Sequence, residues 1–217
     1  ANIVVHSLTK WLGGHGTGIG GVVIDGGNFN WASEKFPLFN NPESSYHGLR
    51  FAHDLGPLQP AAYALRMRLV PLRNLGACIS PDNAWMFLQG IETLPLRMER
   101  HMRNTEKVVQ FLASHPLVSR VGHPMLESHS SQELAKKLLP RGAGSVFSFD
   151  IKGSRAQGKA FIEALKLFSH LANVGDCRSL VIHPASTTHH RLSNEALAAA
   201  GIGQGTIRLS IGLEDAD

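Results

Sequence analysis

Apolar and polar positions along the chain change period several times, and each change marks an element. Residues Asn2 to His6 form a short apolar, β-branched run that stops at polar side chains, the pattern of a buried strand. A glycine-rich segment, Gly13 to Gly21, breaks the structure, and "GVVID" (Gly21 to Asp25) predicts a second strand. Residues 26–56 carry Gly, Asn and Pro throughout and predict a long irregular excursion, a length that is usually functional or interfacial. From Gln59 to Leu72 the composition suits a helix. "ISPDNAWMFLQGIETL" then gives a helix start: Ser80 as N-cap, Pro81 in the first helical position and Asp82 in the first turn. Phe87, Leu88, Ile91 and Leu94 follow at helical spacing. Pro95 predicts an interruption, and a more polar helix resumes through Met98, Met102, Val109 and Leu112 to His115-Pro116.

The second part has a different rhythm. "GSVFSFDI" (Gly144 to Ile151) predicts a strand, and residues 155–172 place Phe161, Leu165, Phe168 and Ala172 on one face of an amphipathic helix. "LANVG" and "SLVIH" predict short strands. "TIRLSIG" alternates, with Ile207, Leu209 and Ile211 on one face and Arg208 and Ser210 on the other. This order predicts a mixed sheet covered by helices, and a boundary within the long helix that divides the chain into 1–100 and 101–217. There are no internal repeats.

Composition narrows the class. With 217 residues, 43% hydrophobic and 18% charged, the chain is globular, and no apolar run is long enough to span a bilayer. The start lacks a basic leader followed by an apolar stretch, so no secretion signal is expected. Cys78 and Cys177 are far apart and in no C-x-x-C pairing, which argues against a disulfide framework or zinc finger and for a reducing, cytoplasmic setting. The formal net charge is +4, but without a run of basic residues that could grip phosphates along one face. No nucleic-acid partner is expected. His183, His189 and His190 have no common zinc spacing and read as structural histidines.

Candidate chemistry centres on "HSLTKWLGGHG", residues 6–16. Ser7 and Thr9 fall on one side of an extended chain, directly before Lys10. Two hydroxyls can cradle a phosphate, and the adjacent amine can take an aldehyde on the same molecule. Pyridoxal phosphate has both groups. Taken alone, S-x-T-K is common and most lysines are solvated.

The wider stretch "SLTKWLGGHG" resembles the cofactor-lysine segment of the Cys/Met-metabolism family of pyridoxal-phosphate enzymes. "LGACISPDNAWMFLQGIETLPLRMERH", "NVGDCRSLVIHPASTTH" and "IRLSIGLED" are similar, in order, to later segments of that family. Within it, the long 26–56 segment and Asn173 opening "NVGD" most resemble the branch of O-acetylhomoserine sulfhydrylases. Cystathionine γ-synthases and methionine γ-lyases more usually have serine at the Asn173 position.

The resemblance implies an α/β fold of the aminotransferase-like type (fold type I). Residues 1–100 would be the second part of the large domain and 101–217 a smaller C-terminal α/β domain. It also implies that Lys10 is the covalent attachment point and proton shuttle, that Ser7 and Thr9 hold the cofactor phosphate, and that Arg208 clamps the substrate α-carboxylate. Asn173 would be a second carboxylate contact, or alternatively a plain turn residue. The implied reaction exchanges acetate on the γ-carbon of O-acetyl-L-homoserine for sulfide, giving homocysteine in methionine biosynthesis. A γ-synthase or γ-lyase reaction in the same family is the alternative, and a catalytically inert oligomerisation module is another. Family enzymes share sites between subunits, which implies a homo-oligomer, a dimer of dimers.

The chain enters a strand at Ala1 and closes on "GLEDAD". The resemblance therefore implies a C-terminal half with both ends cut. The aspartate and stacking aromatic of the ring site would lie upstream, in residues lost or supplied by a separate chain.

Overall fold

In the computed structural model, which describes all residues from Ala1 to Asp217, the chain divides into two units by contact. The first comprises Ala1–Thr9 and Thr17–Phe87, the second Lys10–Gly16 and Leu88–Asp217. By contact, the division in the helical region falls at Phe87/Leu88. The reason is that the start of the long helix is bonded into the second unit through Arg97, His101 and Asn104.

In the first unit, β1 (Ile3–Ser7) and β2 (Gly21–Asp25) pair antiparallel, from Ile3 opposite Asp25 to Ser7 opposite Gly21. The excursion that follows has its own small core. Phe39 (in α1, Pro37–Asn40), Phe51, Ala52 and Ala62 are buried, and Trp31 stacks on Phe39 with ring centroids 4.2 Å apart. Asn40 shares its amide hydrogens among the carbonyls of Trp31, Ser33 and Phe36, each at 2.9 Å, which satisfies backbone that belongs to no regular element. The expected helix after Gln59 is present in pieces: 3-10 over Gly56–Ala61, then α2 (Ala62–Met67), a wider turn over Arg68–Leu72 containing Pro71, and α3 (Arg73–Leu75).

Ser80 caps α4 (Pro81–Glu92), its Oγ accepting the Asn83 N–H at 3.2 Å. The expected apolar face of α4 is only partly used. Phe87 is buried against Gly18 and Gly20, but Leu88 is 61% exposed and Ile91 39%. Within the second unit it is Gly90 that makes the close contact. A Cβ there would fall 2.4 Å from Gly13 O, so the helix approaches backbone, and a bulky apolar side chain would not fit.

The interruption expected at Pro95 occurs at Thr93, and α5 (Leu94–Ser114) follows. Its buried face runs Arg97, His101, Asn104, Thr105, Val109 and Leu112: polar in the first half, apolar in the second. The polar half faces carbonyls. His101 Nδ1 bonds Ile211 O at 2.6 Å, and Asn104 donates to Gly212 O and Glu214 O at 3.1 and 2.7 Å. Met98 and Met102, expected on the packed face, are half-buried at its edge.

The remaining elements are β3 (Val118–Gly122), α6 (Gln132–Leu138), β4 (Val146–Ile151), α7 (Arg155–Ala164), β5 (Ser169–His170), β6 (Leu180–Ile182), α8 (Asn194–Ala199) and β7 (Thr206–Ser210). The strands form a mixed sheet in the order β3-β4-β7-β6-β5, with only β5 and β6 parallel. Its core is Phe147, Phe149, Val181, Ile207, Leu209 and Ile211, closed by Val109 and Leu112 of α5 and Ile162 of α7. Burying side chains of this size contributes about 1.5–3 kcal/mol each.

Two expectations fail here. The helix predicted over 155–172 ends at Ala164, where Leu165 turns extended, so Phe168 and Ala172 lie beyond it. "LANVG" is not a strand: Asn173 N–H bonds back to Leu171 O at 2.9 Å and Gly175 has φ +74°. The turn is what aims Asn173. No helix is long and apolar enough to cross a membrane.

Candidate active site

Lys10 lies in a tight turn after β1, with φ −91° and ψ −135°, between helical neighbours. It is half-buried, and its amine donates to Asn173 Oδ1. The carbonyl of the same asparagine accepts Arg208 Nη2 at 3.2 Å. Lys10 thus meets Asn173 and Arg208, 163 and 198 residues further along the chain, through one side chain and one peptide group of the second unit. Arg208 sits mid-strand in β7, between Ser148 of β4 and Ile182 of β6. It is half-buried, and burial holds its guanidinium below the ordinary arginine value with no carboxylate against it. A guanidinium placed in this way is chemically able to receive an anion.

The turn itself is fixed by residues that the sequence pattern did not single out. Gly14 N–H donates to Lys10 O at 2.7 Å, and Cys177 N–H to Gly14 O at 2.8 Å. Trp11 Nε1 donates to the fully buried Ser145 Oγ at 3.1 Å, and a Cβ on Gly175 would fall 2.7 Å from the Trp11 ring. Arg97 reaches the turn as well. Its signal in the sequence is only a charge on a helix, which periodicity assigns to solvent. Burial pushes the Cys177 thiol up, so this cysteine is not poised as a nucleophile.

Ser7 and Thr9 belong to the first unit. Ser7 ends β1 with an exposed side chain and no hydrogen bond at its hydroxyl. Thr9 Oγ1 is engaged with Gly20, accepting its N–H at 3.0 Å and donating to its carbonyl at 3.3 Å. Ser7 is therefore an open hydroxyl, whereas Thr9 also fastens the loop that returns to β2. The histidines weighed as metal ligands are otherwise occupied: His183 bonds Ser186 Oγ and Gln204 O at 2.9 and 2.8 Å, and His190 bonds Thr187 O. Cavities of about 430 and 800 Å³ elsewhere in the second unit include none of Lys10, Asn173 and Arg208.

His101 and His123 give the second unit a pH dependence. Burial holds both below the ordinary histidine value, and each keeps an unpartnered, buried Nε2. The unfolded chain therefore binds protons that the folded chain refuses. Stability is full above about pH 6.5 and falls as pH drops below it. Thermal unfolding followed from pH 8 to pH 5 is expected to show a falling midpoint, with a shallower fall in His101→Gln. A flat profile in the unsubstituted protein would contradict this.

Comparison with known proteins gives the family. The profile of the Cys/Met metabolism PLP-dependent enzyme family matches residues 1–217. The chain is 52% identical over 223 residues to an O-acetyl-L-homoserine sulfhydrylase of Leptospira meyeri, and 48% identical over 219 residues to a homocysteine synthase of Schizosaccharomyces pombe. All of this chain, but only 50% of each relative, is covered. The chain thus spans about half the length of the curated relatives it matches. Among solved structures, a Campylobacter jejuni chain carrying a pyridoxyl-lysine monophosphate superposes with a TM-score of 0.91 at 42% identity, covering 100% of this chain and 51% of that one. A cystathionine γ-synthase of Xanthomonas oryzae superposes with a TM-score of 0.74 at 32% identity, covering 100% and 47%. With its lysine, asparagine and arginine joined as described and a match from first residue to last, the chain belongs to the Cys/Met metabolism family of pyridoxal-phosphate-dependent enzymes.

Proposed function

We propose that the chain is the lysine-bearing half of an enzyme that replaces the acetate of O-acetyl-L-homoserine with sulfide, giving L-homocysteine. Identity of about 50% along the whole chain to proteins named for that activity, against 32% to a cystathionine γ-synthase, carries the reading. The residues fit pyridoxal phosphate. Lys10 is a half-buried amine with no acidic partner, held by a neutral amide oxygen, and Ser7 offers an open hydroxyl at the end of β1. Thr9 would serve the phosphate only by sharing a hydroxyl already bonded to Gly20.

When bound, the cofactor supplies an aldehyde for attachment to the protein and a ring that takes up charge from the substrate α-carbon. Every other role falls to this chain. Arg208 binds the α-carboxylate through its two-pronged guanidinium, which orients the amino acid by its fixed end. Asn173 fastens both partners: its side chain holds the Lys10 amine and its carbonyl holds Arg208. Lys10, once free, takes the α-proton and delivers protons as the side chain is rebuilt. At the γ-carbon a C–O bond breaks and a C–S bond forms, with acetate leaving.

The full-length protein is read as a cytoplasmic homo-oligomer, and the 217-residue chain alone as inactive. The test is to assay full-length protein and the 217-residue chain with O-acetylhomoserine and sulfide, then with cysteine in place of sulfide, and finally with methionine alone as the substrate. Turnover with sulfide by the full-length protein only is expected. Preference for cysteine as the sulfur donor would transfer the assignment to a cystathionine γ-synthase, and activity of the short chain would remove the half-enzyme reading.

A further inference from the structure

Arg97 is 6% exposed, yet no acidic side chain pairs with it. A buried cation must have its donors satisfied. Here the acceptors are almost all carbonyls. Nη1 donates to Trp11 O at 2.8 Å, Nη2 to Leu12 O at 3.2 Å and Gly90 O at 2.5 Å, and Nε to Thr93 Oγ1 at 3.2 Å. Gly90 and Thr93 sit where α4 ends, so capping that helix accounts for two of the four bonds. It does not account for the other two, which take the first two carbonyls after Lys10.

The same backbone is enclosed from both sides. Gly14 has φ +75°, and a Cβ there would fall 2.1 Å from Arg97 Nη1; a Cβ on Gly90 would fall 2.4 Å from Gly13 O and 2.7 Å from Leu12 O. We propose that Arg97 is a positioning residue for Lys10: by holding the two peptide planes that follow, it sets the direction in which the amine leaves the turn towards Asn173. The inference rests on Lys10 being the proton-transferring lysine of the proposed reaction.

Arg100, one turn along α5, provides a matched control. It also donates to carbonyls, those of Leu213 and Glu214 at 3.2 Å each, but not to the lysine turn. The experiment compares Arg97→Gln, Arg97→Lys, Gly90→Ala and Arg100→Gln in the full-length protein. Three quantities are read: amide exchange of residues 11–14, the isotope effect with α-deuterated O-acetylhomoserine, and the pH titration of the resting visible chromophore.

Arg97→Gln is expected to lower kcat about 100-fold with little change in KM, the cost of a small misplacement of a reacting group. Exchange at 11–14 is expected to quicken about tenfold, the isotope effect to rise as proton transfer becomes limiting, and the chromophore titration to depart from that of the unsubstituted protein. Lysine, a point charge without the fork, is not expected to rescue. Gly90→Ala should shift the readouts in the same direction by pushing the same backbone from the other side, and Arg100→Gln should leave all three unchanged. Should Arg97→Gln fail to fold, Arg97→Lys and Gly90→Ala carry the test.

Unchanged isotope effect and exchange in the Arg97 and Gly90 variants would overturn the proposal, as would an equal change in Arg100→Gln. Failure of the underlying reading shows separately, in the unsubstituted protein. Borohydride would then fix no cofactor on Lys10, and the premise of the proposal would go with it.

Discussion

Lys10→Ala in the full-length protein is expected to lower turnover by about 10²–10⁴-fold, the range lost when a positioned acid–base group is removed. The fold should survive. The turn is held through the Lys10 carbonyl and the groups after it, none of which involves the side chain, and the amine has a single partner in Asn173. Loss of activity should therefore come without loss of thermal stability, and the borohydride-fixed adduct should vanish from the peptide containing residues 6–16. Turnover within about tenfold of the unsubstituted protein would remove Lys10 from the chemistry.

The second large effect is expected at Arg208. Hydrogen bonds to charged groups contribute about 1.5–3 kcal/mol, so Arg208→Gln should cost roughly 10²-fold in kcat/KM. The loss should appear chiefly in KM if the guanidinium binds the carboxylate equally throughout the reaction. Arg208→Lys keeps the charge and loses the fork, and should recover only part. Because the side chain makes one intramolecular bond, to Asn173 O, and sits among intact strand pairs, the sheet should tolerate both changes. Steady-state kinetics across O-acetylhomoserine concentration decide the matter. An unchanged KM and kcat would place the substrate carboxylate elsewhere.

How far the sequence disclosed this site depended on the range of the interactions. Local signals were reliable: Ser80, Pro81 and Asp82 start α4, "GVVID" is β2, and Ile207 and Leu209 of β7 alternate into the apolar core, with Ile211 just beyond the strand. β3, α6 and α8 had no counterpart in the hydropathy pattern, because all three are short and the two helices are mostly exposed, so their apolar period is brief. The predicted helix over 155–172 overran, since an apolar period continued into Phe168 after the backbone had already turned at Leu165.

Lys10 was singled out by the hydroxyls before it and then by resemblance, Asn173 and Arg208 by resemblance alone, and their union through Asn173 is a tertiary fact. Arg97 illustrates the limit most clearly. A charged residue on a helix reads as solvated, and this one is buried because tertiary structure brings Trp11 O and Leu12 O to it, beside Gly90 O and Thr93 Oγ1 of its own helical region.

That residues 10–16 group with Leu88–Asp217, while the stretches on either side of them do not, bears on modular inheritance. A gene segment starting at Leu88 would encode Arg208, Asn173 and the whole five-stranded sheet, yet lack Lys10 and leave the Arg97 fork without two of its acceptors. Recombination that exchanges this unit between related genes at a single crossover would thus tend to produce unstable offspring. Successful chimaeras should take both stretches from the same parent.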